Sequence, residues 1–291
     1  MFKFEDMKKS LVLIGIFTVS IFLFSCDEEP PPGLDFSTGP ENDTTYIVST
    51  IPSAQSKNVL IEDLTGVRCN NCPKAAAEAV RLHEINPRIK VMALYIKSSS
   101  FSTPWTGYED LTTQVAEDII QDTEAPGGLP KGYVDRVKGT SNNIANQWED
   151  WEGITTPQLA KTTPVNITLE RELNTDTSVV KAKVELVYTE DVPSANHALL
   201  LVLTESHIKS KQAMPDNSKN LEYLHNHVLR TSLTSSLGKT IEANVEAGRL
   251  IFSTYSLTME DYWDPAHCHL LALVQDRTTK EIIQVQEIDL L

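Results

Sequence analysis

The segment Val59-Leu60-Ile61-Glu62-Asp63-Leu64-Thr65-Gly66-Val67-Arg68-Cys69-Asn70-Asn71-Cys72-Pro73, followed by KAAAEAVRLHEIN at 74–86, decides how the first half of this chain is read. Residues 59–64 form a short apolar run of strand length. Residues 65–68 have turn character. The alanine-rich stretch is a helix with Lys74, Glu78 and Arg81 on its polar face. Pro73 suits its first turn, where a missing N–H costs little, and Asn86-Pro87 ends it. A second apolar run, Ile89–Ile96, is another strand. The pattern is a β-α-β unit with two cysteines at the helix start.

That placement has chemical consequences. A thiolate is the nucleophile of disulfide exchange, and a helix N-terminus stabilises it. Arg68 is expected to add a positive charge beside Cys69. With two residues between the thiols, Cys69 can attack a substrate and Cys72 can resolve the mixed disulfide. The same CxxC could also be a disulfide that never turns over. It is a poor half of a zinc site, because His83 is the one histidine nearby.

Working outward, Tyr108, Leu111, Val115 and Ile119 recur at helical spacing and predict a helix over 107–122. Ile144, Trp148 and Trp151 predict a closing helix. Between them runs APGGLPKGYVD at 125–135. The first domain, 46–160, here resembles the thioredoxin superfamily. By that resemblance Pro130 is the cis-proline that faces the dithiol, with Leu129 before it, and both would contact an extended peptide. Asp63, six residues before Cys69, matches the buried acid of many thioredoxins and would relay a proton to or from Cys72. The chain departs from the pattern in having Arg68 where a Trp is usual and Asn70-Asn71 between the cysteines, so rate and redox poise do not carry over.

From Pro164 onward short alternating apolar runs dominate, separated by polar turns: 165–169, 180–186, 199–203, 250–255, 270–274 and 282–288. This predicts an all-β sandwich over 161–291, immunoglobulin-like in form, joined by a Thr- and Pro-rich connector at 155–164. The interval 204–249 reads as irregular. His225-Asn226-His227 and His267-Cys268-His269 are both HxH, and i and i+2 share a face of a strand. They could hold a metal in pairs. The commoner role for such residues is hydrogen bonding on a sheet or loop, so no metal or cofactor is assigned. Cys268, facing away from its neighbours, is expected to be a buried free thiol.

The N-terminus is an address. Lys8 and Lys9 precede a run of apolar and small residues, 11–25, of secretory character. Leu23-Phe24-Ser25-Cys26 resembles a bacterial lipobox, which makes 1–25 a leader and Cys26 the lipidated residue. Residues 26–45, beginning CDEEPPPG, read as a lipid-anchored linker. Their acidic start resembles the lipoprotein export signal of Bacteroidetes, which implies the outer membrane and a cell-surface face. Over 291 residues the net charge is −15, with 41% hydrophobic and 22% charged residues. That composition is globular, and the acidity argues against a nucleic-acid partner. Taken together, the leader, LTGVRCNNCP, GLPKGYVDR and EYLHNHVLR resemble the twenty-eight-kilodalton outer-membrane protein family of Bacteroidetes. Two functional readings follow. In one, the CxxC dithiol exchanges disulfides with exported proteins or peptides, and the membrane is touched through the anchor alone. In the other, the chain is a non-catalytic surface binding or adhesion protein stapled by a structural disulfide.

Overall fold

The computed structural model describes residues 42–124, 126–193, 196–241 and 245–291. The leader, Cys26 and residues 26–41 of the linker lie outside them. The chain is β-rich, with fourteen strands and three α-helices among the described residues.

Strand β2 (Val59–Thr65) is buried along its whole length and runs parallel to β3 (Ile89–Tyr95), with Val59 beside Ile89 and Thr65 beside Tyr95. Helix α1 (Cys72–Ile85) connects them and turns Cys72, Ala75, Ala79 and Leu82 inward. The last three meet Val59, Ile61, Ile89 and Val91. At its end Asn86 is extended, as a residue before proline should be. Strand β4 (Lys131–Val134) lies antiparallel to β2. It is crossed by Trp151, which is fully buried. A Cβ on Gly132 would sit 2.3 Å from that indole, so only glycine fits there.

Two helices start later than their apolar spacing suggested. Helix α2 spans Gln114–Asp122, because the Thr113 side chain caps it by accepting from Ala116 N at 3.0 Å. Tyr108 and Leu111 therefore precede the helix. Leu111 is buried instead in a small cluster with Val67, Tyr95 and Ile208. Helix α3 spans Trp151–Leu159, after a 3-10 turn at Trp148–Asp150, and leaves Ile144 outside.

The remaining strands are β1 (Asn42–Ile47), β5 (Val165–Asn174), β6 (Val179–Tyr188), β7 (His197–Glu205), β8 (Ile208–Ala213), β9 (Lys219–His225), β10 (Val228–Ser232), β11 (Lys239–Thr240), β12 (Arg249–Thr258), β13 (Cys268–Asp276) and β14 (Ile282–Asp289). One antiparallel sheet has the order β1-β12-β6-β5. Its edge strand β1 shows that the expected linker gives way to paired backbone at residue 42. A second sheet runs β14-β13-β7-β10-β3-β2-β4, with β11 beside β7. The hairpin β8–β9 stands apart from both and occupies part of the interval read as irregular.

The long sheet crosses the expected boundary at 160/161. β10 is the seam: it pairs antiparallel with β7 and parallel with β3, where Ala93 N donates to His227 O at 2.7 Å. Strand β7 makes this possible, since all nine of its residues are buried. Leu199, Leu201 and Leu203 face the four-stranded sheet, with Val184 and Leu186 among their neighbours. Leu200 and Val202 face the other way, toward Leu64, Met92 and Ile119 of α2. The described residues accordingly cluster as one compact unit.

Buried ion pairs reinforce the junction. Glu62 takes a two-pronged bond from Arg136 (2.7 and 2.6 Å), and Arg136 also reaches Gln275 of β13 at 2.6 Å. Lys57 pairs with Asp135 at 3.3 Å and donates to the carbonyls of Ile282 and Ile283. Asp135 and Arg136, the end of GLPKGYVDR, both take positive φ to make this turn.

Candidate functional site

Cys69 and Cys72 form a disulfide, with Cα atoms 5.4 Å apart, at the N-terminus of α1. Gly66 opens the loop. A Cβ there would come within 2.5 Å of Phe101 O, so the loop can close against residues 99–102 only with glycine. Arg68 does not aim at the sulfurs. Its guanidinium donates to Thr103 O (2.7 Å) and Pro104 O (2.8 Å) and lies 4.0 Å over the Trp105 ring. It braces the neighbouring loop.

Both cysteines are buried, at 2% and 1% exposure. The cover is the β8–β9 hairpin. Gln212 donates to Gly66 O (3.3 Å) and Cys69 O (3.0 Å), and Ala213 N donates to Val67 O (2.9 Å). Asn70, between the cysteines, donates to Met214 O (3.1 Å) and Asn217 Oδ1 (2.9 Å). No sequence signal pointed to Gln212, because a buried glutamine on an isolated hairpin carries no periodicity.

Behind the disulfide lies a cleft of about 290 Å³ between α1, β2–β3 and the end of β9. Asp63, Cys72, Tyr95, His225 and His227 all line it. Asp63 is 2% exposed, and its Oδ1 has no hydrogen-bond partner among the described residues. Burial pushes its carboxyl up to about 8, so it holds a proton at neutral pH. His225 Nδ1 and Tyr95 Oη are 2.6 Å apart. Burial pushes His225 down to about 4 and the Tyr95 phenol well above its usual value, so both are neutral. The cleft that Cys72 lines thus also holds a protonated acid and two neutral proton-bearing groups. His225 was visible through its HxH motif; Tyr95 carried no signal beyond its place at a strand end.

The peptide bond Leu129–Pro130 is cis. Leu129 and Pro130 line a separate groove with Asn71, Lys74 and Trp148. Asn71 therefore links the loop between the cysteines to this groove, while Asp63 and Cys72 share the cleft. The HxH motifs straddle element boundaries: His225 ends β9 and His227 lies in the following turn, while His267 sits in a 3-10 turn and His269 on β13. Among the described residues no three His, Cys, Asp or Glu side chains are placed to hold one metal ion. Cys268 is a free thiol, buried and pushed up to about 12 by that burial.

A β-rich chain with one buried disulfide and an acid-bearing cleft at the end of a long mixed sheet is the class of protein these features define. The family model for outer membrane protein Omp28 matches residues 121–290, more than half of the chain. The chain belongs to the Omp28 family, and its location is the outer membrane. The matched residues begin after the disulfide loop. No curated protein matches the sequence. Among solved structures, HBP35 of Porphyromonas gingivalis is similar in fold, with a TM-score of 0.63 over 82% of this chain and 76% of that one at 18% identity. A domain of the outer membrane lipoprotein Omp28 from Porphyromonas gingivalis aligns over 44% of this chain and 88% of its own, at 19% identity and a TM-score of 0.31. A protein of Agrobacterium tumefaciens aligns over 81% of this chain and 96% of its own, at 12% identity and a TM-score of 0.46.

Proposed function

We propose that this protein is an outer-membrane lipoprotein, tethered through Cys26, whose Cys69–Cys72 pair exchanges disulfides with exported polypeptides. In this reading residues 46–160 are thioredoxin-like and residues 161–291 an immunoglobulin-like sandwich. The strand-helix-strand unit with the disulfide at the helix start and the antiparallel β4 support the first. The face-to-face packing of the four-stranded sheet on β7 and β13 supports the second.

The observation that carries the proposal is Asp63, an unpartnered buried acid in the same cleft as Cys72. From the disulfide state, a substrate thiolate attacks Cys69 Sγ and the Cys69–Cys72 bond breaks. Cys72 leaves as a thiolate, and the protonated Asp63 supplies its proton. A second substrate thiolate then attacks the sulfur bonded to Cys69, which forms the substrate disulfide and releases Cys69. The substrate loses two electrons and the Cys69/Cys72 pair gains them. Run in reverse, Cys69 reduces a substrate disulfide and Asp63 takes the Cys72 proton. Leu129 and Pro130 would hold the extended substrate in the groove beside Asn71. The test is trapping: in intact cells Cys72→Ser should accumulate mixed disulfides at Cys69, and the Cys69→Ser/Cys72→Ser double variant should not. Equal adducts in both would refute exchange.

The burial of both sulfurs under the hairpin favours a second reading, in which the disulfide is a static staple and the protein is a surface binding or adhesion module. Slow, partner-independent reduction would support it.

A further inference from the structure

Three cations meet on one indole next to the disulfide loop. The Arg68 guanidinium carbon lies 4.0 Å, Lys211 Nζ 4.5 Å and Lys219 Nζ 5.0 Å from the centre of the Trp105 ring. All three charges therefore fall within 5.0 Å of one point. They come from the disulfide loop and from both strands of the β8–β9 hairpin.

Hydrogen bonds lock these segments together. Trp105 Nε1 donates to Val67 O at 3.3 Å, and Arg68 reaches Thr103 O and Pro104 O. Lys211 precedes Gln212, which donates to Cys69 O, and Ala213 N donates to Val67 O. Lys219 is placed by its pairing with Ala213 across the hairpin. Trp105 and Lys211 are half-buried and Lys219 is exposed, so solvent reaches the group.

The charges are not balanced locally. Lys209 on the same hairpin pairs with Glu222, and Arg230 with Glu205 and Glu109, whereas among the described residues Arg68, Lys211 and Lys219 form no ion pair. Composition does not explain this, since the chain has 40 acidic residues against 25 basic ones. Stacking on the indole stabilises each cation, but like charges this close repel one another. The missing component is an anion.

We propose that Arg68, Lys211, Lys219 and Trp105 form a docking site for an acidic segment of a polypeptide, whose carboxylates balance the three cations. The site deepens the disulfide-exchange reading and rests on it for the polypeptide nature of the partner. The segment would be held by the neighbours of Cys69 and Gln212, next to the sulfur that a substrate thiolate must reach. Complementary charge selects acidic segments over neutral or basic ones. The net charge of −15 opposes approach of the whole chain to an anionic lipid surface. A short bound segment feels only the charges within about 8–10 Å at ordinary salt.

The test is fluorescence anisotropy of labelled oligoglutamate and oligoglutamine peptides with the oxidised full chain in neutral detergent. Oligoglutamate should bind and oligoglutamine should not, and the binding should weaken several-fold as salt rises from about 0.02 M to about 0.3 M. Lys211→Gln/Lys219→Gln should weaken it at least about tenfold. Lys181→Gln/Lys183→Gln, which removes the same charge from exposed positions on β6, should leave it unchanged. The Cys69→Ser/Cys72→Ser double variant should bind oligoglutamate as the wild type does, so failure of disulfide exchange and failure of docking are read separately. The peptide comparison and the salt dependence use the wild-type chain and do not depend on any variant folding. Equal binding of the two peptides, equal loss in both lysine variants, or binding to phosphatidylglycerol vesicles without binding to oligoglutamate would each overturn the site.

Discussion

The two ends of the long sheet are built from opposite materials. Where β7 and β13 lie against the four-stranded sheet, the interior is mostly leucine, valine, isoleucine and alanine, with Tyr188, Tyr255, Met259 and Cys268 among them. Where β2 and β3 lie against α1 and the β8–β9 hairpin, the interior holds Asp63, Tyr95, His225 and a disulfide, and Asp63 Oδ1 and His225 Nε2 have no partner among the described residues. Burying a polar group without a partner costs about 1–3 kcal/mol. At the two-sheet end the unpartnered atoms include the hydroxyls of Thr204 and Tyr255, whereas the cleft end buries an unpartnered acid, the costlier group to leave so. Chemistry is therefore sought at the cleft.

The comparison can be broken most forcefully at the seam between the ends. Arg136→Met leaves Glu62 buried and unpaired and should cost about 3–5 kcal/mol in urea unfolding. Leu201→Ala, deep between the two sheets, should cost about 2–5 kcal/mol through its cavity. It should leave the rate at which dithiothreitol reduces Cys69–Cys72 unchanged. If it accelerates reduction, the ends are less independent than described.

Asp63→Asn sharpens the contrast through pH. The folded chain keeps a proton on Asp63 between about 4 and about 8 that the unfolded chain has lost. Its contribution to stability therefore falls as pH rises through that window, by up to about 1.4 kcal/mol per unit. The asparagine variant should be the more stable at pH 8, with a flatter urea midpoint between pH 5 and 8. His225 has the opposite sign. It is neutral in the fold down to about 4, so its contribution is lost as pH falls from about 6.5 to about 4. His225→Gln should flatten the acid limb of the same profile.

The smallest effect belongs to the hairpin. Gln212→Ala removes the bonds to Gly66 O and Cys69 O and should speed reduction of the disulfide a few-fold. Its stability measured by urea unfolding should fall by about 1 kcal/mol. An unchanged rate would mean that the cover is not what shields the sulfurs.

The features legible in the sequence were those set by local chemistry. The β2-α1-β3 unit followed from two apolar runs around an alanine-rich helix, whereas Asp63 was reached through the thioredoxin resemblance, by its place six residues before Cys69. Features built from distant polar contacts were not legible. The tie of Arg136 to Glu62 and Gln275 and the seat of Gln212 on the cysteine loop have no periodicity to betray them. Helix α2 was read seven residues too early because Tyr108 and Leu111 happen to match helical spacing, while Thr113 decides where the turn begins. The unbroken sheet was hidden in β7. Its Leu199, Leu201 and Leu203 alternate as a sandwich strand should, but Leu200 and Val202 between them are equally buried. That second face joins the halves. Neither HxH motif lies within a single strand, so same-face alternation could not place its histidines.

The central claim, that Cys69 and Cys72 are a working redox pair, is tested most directly by their reduction potential. The full chain in detergent would be equilibrated against glutathione or dithiothreitol and its free thiols trapped, with Cys69→Ser and Cys72→Ser as controls. The account predicts a potential between about −120 and −270 mV, the span of thiol-disulfide exchangers. A potential below about −300 mV, the region of structural disulfides, would contradict it.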